Sequence, residues 1–116
     1  MATKRQVERK LRELMKRLEE SGGQVRTSLA GALPESRVIQ VAVSDLGASY
    51  WTELSGGRMG SLHEGVPPHQ EIRIELTGDD LVELVDGRRS LFSAYLAGEV
   101  KIDASFGDLL RLRKLA

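Results

Sequence analysis

The segment GEVKIDAS, residues 98 to 105, constrains the fold more than any other. Its centre, EVKID, alternates with period two: Val100 and Ile102 point one way, Glu99, Lys101 and Asp103 the other. Both flanks have helical spacing instead. Leu91, Phe92, Tyr95 and Leu96 precede Gly98, and Phe106, Leu109, Leu110 and Leu112 follow a helix start near Ser105. A strand of five residues cannot stand alone in water and must join a sheet. Its partners must come from elsewhere in the chain, with helices to cover them, so an α+β arrangement is required.

Partners are present upstream. RVIQVAV (37–43) is apolar on both faces, as a central strand is. ASYWTEL (48–54) sets Tyr50, Thr52 and Leu54 on one face and Trp51 on the other, and after SGG the segment RMGSLHE (58–64) makes a short return strand. VPPHQ (66–70) is a loop, because two prolines remove two ladder donors. QEIRIEL (70–76) alternates cleanly, with Ile72, Ile74 and Leu76 inward, and QVRTSLAG (24–31) is a weaker strand candidate. A meander of strands followed by a helical pair and the EVKID return is the expected order.

Helices are signalled just as locally. Residues 3–20 place Val7, Leu11, Leu14, Met15 and Leu18 on one stripe, with Gly22 and Gly23 as the stop. Glu13 and Arg17 form a favourable i, i+4 pair on its outer face. Lys4 and Arg5 at its start and Glu19 and Glu20 at its end oppose the helix dipole. Two uses of that face stay open: transient contact with a membrane surface through residues 3–20, or a solvated, salt-bridged face. Thr77 to Asp80 resembles a capping box ahead of Leu81, Leu84 and Val85, and Gly87 ends that helix.

Charge and composition exclude several functions. Seventeen basic residues balance seventeen acidic ones, which argues against a dedicated nucleic-acid binder. There is no cysteine, hence no disulfide framework and no thiolate chemistry. No apolar run approaches a membrane span and no signal-peptide core is visible, so the expected location is cytoplasmic. HEGVPPH separates His63 from His69 by six positions with Pro67 and Pro68 between, so no helix can present both to one metal. No serine lies in a G-x-S-x-G elbow. No catalysis, metal or cofactor is expected.

From Glu71 to Leu115 the order of strand, GDDLVELVDGR, apolar helix, glycine, EVKID and Leu-rich helix resembles the sterol carrier protein 2 (sterol-transfer) domain. VAVSDLGASYWTEL and the glycine turn upstream are compatible, so the resemblance covers about residues 36–115. KIDASFGDLLRLRKL looks most like the short, stand-alone bacterial members. Gly98 matches the family glycine ahead of the late strand and Val100, Lys101 and Ile102 match that strand, whereas Ala104 and Ser105 stand where the family often has glycine. The resemblance implies an α+β fold with a mixed, roughly five-stranded sheet, helices packed on one face, and an apolar tunnel between the layers. One domain, 1–116, is expected, with the N-terminal helix over 1–23 and the sheet and its helices over 24–116.

The implied partner is a long-chain lipid: fatty acid, acyl-coenzyme A, phospholipid, or isoprenoid or sterol. Leu81, Leu84 and Val85 are candidate lining residues, as are Phe92, Tyr95 and Leu96 of the next helix and Phe106, Leu109 and Leu110 of the last. Each is equally suited to plain core packing. Tyr95 and Trp51 offer polar tips, and Arg88, Arg89 and Lys101 offer cations, to a head group. Helices 79–97 and 105–115 are the expected movable wall. A hollow domain loses about 24 cal/mol per Å³ of empty cavity, so it should be soft when empty and stabilised by ligand. The rival readings are a filled-core module that docks a protein, and an accessory to a separate isomerase or hydrolase.

Overall fold

The computed structural model describes residues 1–20, 36–56 and 58–113; the strand candidate at 24–31 lies outside them. Strand β1 (Arg37–Val43) is the central strand, as its apolar run requires. It pairs antiparallel with β2 (Ala48–Ser55), from Val43↔Ala48 to Arg37↔Leu54, across a turn in which Gly47 takes φ +59°. The expected return strand is split into β3 (Arg58–Met59) and β4 (His63–Glu64), both antiparallel to β2.

The meander stops there. β5 (Ile72–Leu76) crosses to the far side of β1 and runs parallel to it, Ile39↔Ile72 to Val43↔Leu76. The crossing is fixed where β5 begins: Glu71 N donates to Val38 O at 3.1 Å and Val38 N donates to Glu71 Oε2 at 2.5 Å. β6 (Lys101–Asp103) closes the edge antiparallel to β5, with Ile74↔Ile102. The EVKID segment thus finds its partner in QEIRIEL. Among the described residues the sheet has six strands in the order β3-β2-β1-β5-β6, with β4 also on β2, so β3 and β4 share one edge position.

Among the described residues four helices cover one face: α1 (Lys4–Glu20), α2 (Gly78–Val85), α3 (Leu91–Leu96) and α4 (Phe106–Arg113). Val41, Val43, Tyr50, Ile74, Leu76 and Ile102 share the inner face of the sheet and meet Val7, Leu11, Leu81, Val85 and Ala94 of the first three helices. The hydroxyls of Thr77, Ser90 and Ser105 accept from the backbone N–H groups of Asp80, Ser93 and Asp108 at 3.1–3.2 Å, capping α2, α3 and α4.

The apolar stripe of α1 lies on this core, with Val7 and Leu11 buried, and polar contacts pin the helix along its length. Ala2 N donates to Asp79 Oδ1 at 2.6 Å, Lys4 Nζ meets Glu64 Oε1 at 2.5 Å, Lys10 Nζ meets Asp86 Oδ1 at 2.5 Å, and Arg17 Nη1 donates to Val85 O at 2.6 Å. Lys4, unfavourable for the helix dipole, is therefore used to tie α1 to β4. Among the described residues no helix is long and apolar enough to cross a membrane.

α4 departs from the expected orientation. Phe106 and Leu110, one helical turn apart, are 76% and 45% exposed, while Asp108 is turned inward and buried. The cause is an ion pair: Arg37 Nε reaches Asp108 Oδ2 at 2.9 Å. Leu109 is half-buried against the core; the side chain of Leu112 lies outside what is described.

Candidate functional site

A cavity of about 240 Å³ lies between α1, the sheet, α2 and the start of α3. Its floor is Val41, Ile74 and Leu76, consecutive positions of one sheet face in β1 and β5. Leu81, Leu84 and Val85 supply one wall because i, i+3 and i+4 fall on one side of a helix. Leu11 and Leu14 of α1 supply the opposite wall by the same spacing, and Leu91 opens α3 beside them. Arg89 completes the lining and, with its side chain 31% exposed, marks the solvent edge.

Three of the nine lining residues expected from sequence are thus brought together here: Leu81, Leu84 and Val85. The other six lie elsewhere. Phe92 and Tyr95 pack on each other with ring centroids 5.7 Å apart, and Leu109 packs beside the core. Leu96 is 71% exposed, and Phe106 and Leu110 are exposed on α4. Of the two helical stretches expected as a movable wall, 79–97 borders this cavity through α2 and the start of α3, and α1 lies opposite them. The α1 stripe was legible as apolar; that it forms a wall of the cavity required knowing where α1 docks.

Among the described residues the lining presents aliphatic side chains and one guanidinium, with no hydroxyl, thiol, imidazole or carboxylate to act as nucleophile or base. Arg89 pairs with Glu99, and that hydrogen bond is the main reason the guanidinium is held above its ordinary basicity. The histidines take separate partners: His63 stacks on Trp51 at 4.2 Å between ring centroids, and His69 Nε2 lies 3.7 Å from Glu71. Among the described residues no three His, Cys, Asp or Glu side chains gather as a metal site.

Solved structures share this fold. TT1886, a conserved hypothetical protein of Thermus thermophilus, matches with TM-score 0.69 and 18% identity over 89% of this chain and 76% of that one. The UbiJ-SCP2 ubiquinone synthesis protein matches with TM-score 0.64 and 16% identity over 99% and 92%. Palmitated SCP2L2 of Aedes aegypti matches with TM-score 0.62 and 10% identity over 91% and 89%. The chain also matches the stereoselective inverting sec-alkylsulfatase Pisa1 from Pseudomonas sp. with TM-score 0.57, 20% identity and 72% of this chain, but spans only 13% of that protein's length. No curated protein sequence matches the chain. Residues 4–116 match the family model for sterol transfer, the SCP-2 sterol transfer family, and the chain belongs to that family.

Proposed function

We propose that the protein binds and carries a lipid with a single long apolar chain, without transforming it, in the cavity between α1, the sheet and α2. The observation that supports this most is the lining itself: nine of its ten described residues are aliphatic. Such a surface contributes affinity at about 0.8 kcal/mol per buried CH₂ and offers no group for covalent chemistry. The palmitated state of the Aedes aegypti protein, which shares the fold, is consistent with an alkyl ligand.

The test is thermal unfolding of delipidated protein titrated with linear alcohols and acids of graded length. Ligand at about 100 times Kd adds about 2.7 kcal/mol, a rise of roughly 8–12 °C for a chain of this size. A saturable rise that grows with chain length is the expected result. A transition that ignores every lipid would mean a filled core and a protein partner instead.

A further inference from the structure

Among the described residues of the lining, Arg89 is the sole charge beside aliphatic side chains. Its guanidinium is closed by the carboxylate of Glu99, which lies outside the lining between Gly98 and β6. Both side chains are partly exposed, 31% and 39%, so neither is locked in the interior. Glu83 and Asp80 of α2 add negative potential around the same guanidinium. A planar guanidinium binds a carboxylate through two parallel hydrogen bonds. One carboxylate can replace another there without leaving the cation unpaired, whereas an ester or alcohol cannot take over the charge.

Resting on the lipid reading above, we infer that Arg89 is the head-group determinant of this cavity: it selects a linear chain ending in a carboxylate, which displaces Glu99 while the alkyl part fills the space between α1 and α2. Glu99 is then an internal stand-in for the ligand head. The depth available is set by volume. A cavity of about 150 Å³ accepts one benzene ring, so by proportion about 240 Å³ takes on the order of ten carbons. A sterol nucleus exceeds that space as it stands.

The experiment is calorimetric titration of the delipidated full chain with decanoate, methyl decanoate and decan-1-ol at neutral pH. Decanoate should bind several-fold more tightly than the ester, less than the roughly tenfold of a full charged hydrogen bond, because displacing Glu99 gives one such bond up. Arg89→Gln should erase that preference and leave the ester affinity in place. Glu99→Gln should tighten decanoate several-fold and leave the ester unchanged, because it removes the competitor and keeps the receptor. Equal binding of acid and ester by the wild type, or a preference that survives Arg89→Gln, overturns the role of Arg89 while the cavity stands. If Arg89→Gln fails to fold, an unchanged acid-to-ester ratio in Glu99→Gln overturns it equally. Failure of all three probes to bind overturns the lipid site itself.

Discussion

At the scale of single residues, Asp108 shows how one contact can reorient an element. Its side chain is 3% exposed and accepts from Arg37 through both oxygens, Nε to Oδ2 at 2.9 Å and Nη2 to Oδ1 at 3.3 Å. Arg111 adds a contact at 3.1 Å from the next turn. This fork ties the last helix to the central strand, and it turns Phe106 and Leu110 outward as a consequence. Removing one partner of a buried pair strands the other, so Asp108→Ala should lower stability by on the order of 3 kcal/mol in urea unfolding. The hydrogen bond from Arg37 is the main cause that holds the Asp108 carboxyl below its ordinary range. An unfolded aspartate titrates near about 3.9. The contribution of a depressed carboxyl is therefore complete above that value and is lost as pH falls through the folded one. The stability gap between wild type and Asp108→Asn should be flat from about pH 7 to about pH 5 and shrink below about pH 4. A gap that stays constant down to acid unfolding would show that the pair contributes through shape alone.

At the scale of elements, the docking of α1 depends on a small residue in its neighbour. A Cβ on Gly78 would lie 3.2 Å from Ala2 Cβ and 3.3 Å from Val7 Cγ2, both tighter than ordinary contact. Gly78 N also donates to Asp45 Oδ1 at 2.9 Å, which holds the start of α2 against the β1–β2 turn. Gly78→Val should therefore overpack the α1–α2 contact and cost about 1–3 kcal/mol. Hydrogen exchange should quicken across α1 while β1 and β2 keep their protection; uniform acceleration would mean the whole core is disturbed instead. The same elements show what sequence can and cannot reveal. β1, β2, β5 and the stripe of α1 were legible because period and burial are local properties of five to seventeen residues. The split of the return strand into β3 and β4 was not, since both halves answer only to the register of β2. Nor was the inner face of α4, because the partner that turns Asp108 inward is 71 positions away. Among the site residues, Leu81, Leu84 and Val85 could be read from one helix, whereas Leu11 and Leu14 join them through the docking of α1, set by the close fit at Gly78 and the polar contacts along the helix.

At the scale of the whole molecule, the cavity couples stability to occupancy. At about 24 cal/mol per Å³, 240 Å³ would cost about 6 kcal/mol if sealed and empty, a large share of the roughly 5–15 kcal/mol that holds a domain folded. The solvent edge at Arg89 lessens that cost but does not remove it, because the aliphatic walls still lack partners. Filling the space from within should then reproduce part of what a ligand does. Leu84 lines the cavity from α2 and is half-buried, so Leu84→Trp can project an indole between Leu14 and Ile74. Under the lipid reading, this variant should melt higher than wild type without ligand, by an amount corresponding to about 0.5–2 kcal/mol. Its longest stabilising ligand should also become shorter by several carbons, since indole and alkyl chain compete for one volume. Scanning calorimetry across acids of six to sixteen carbons, on the order of ten being the wild-type fit, reads both effects. A variant that melts lower yet keeps the wild-type dependence on chain length would place the ligand outside this cavity.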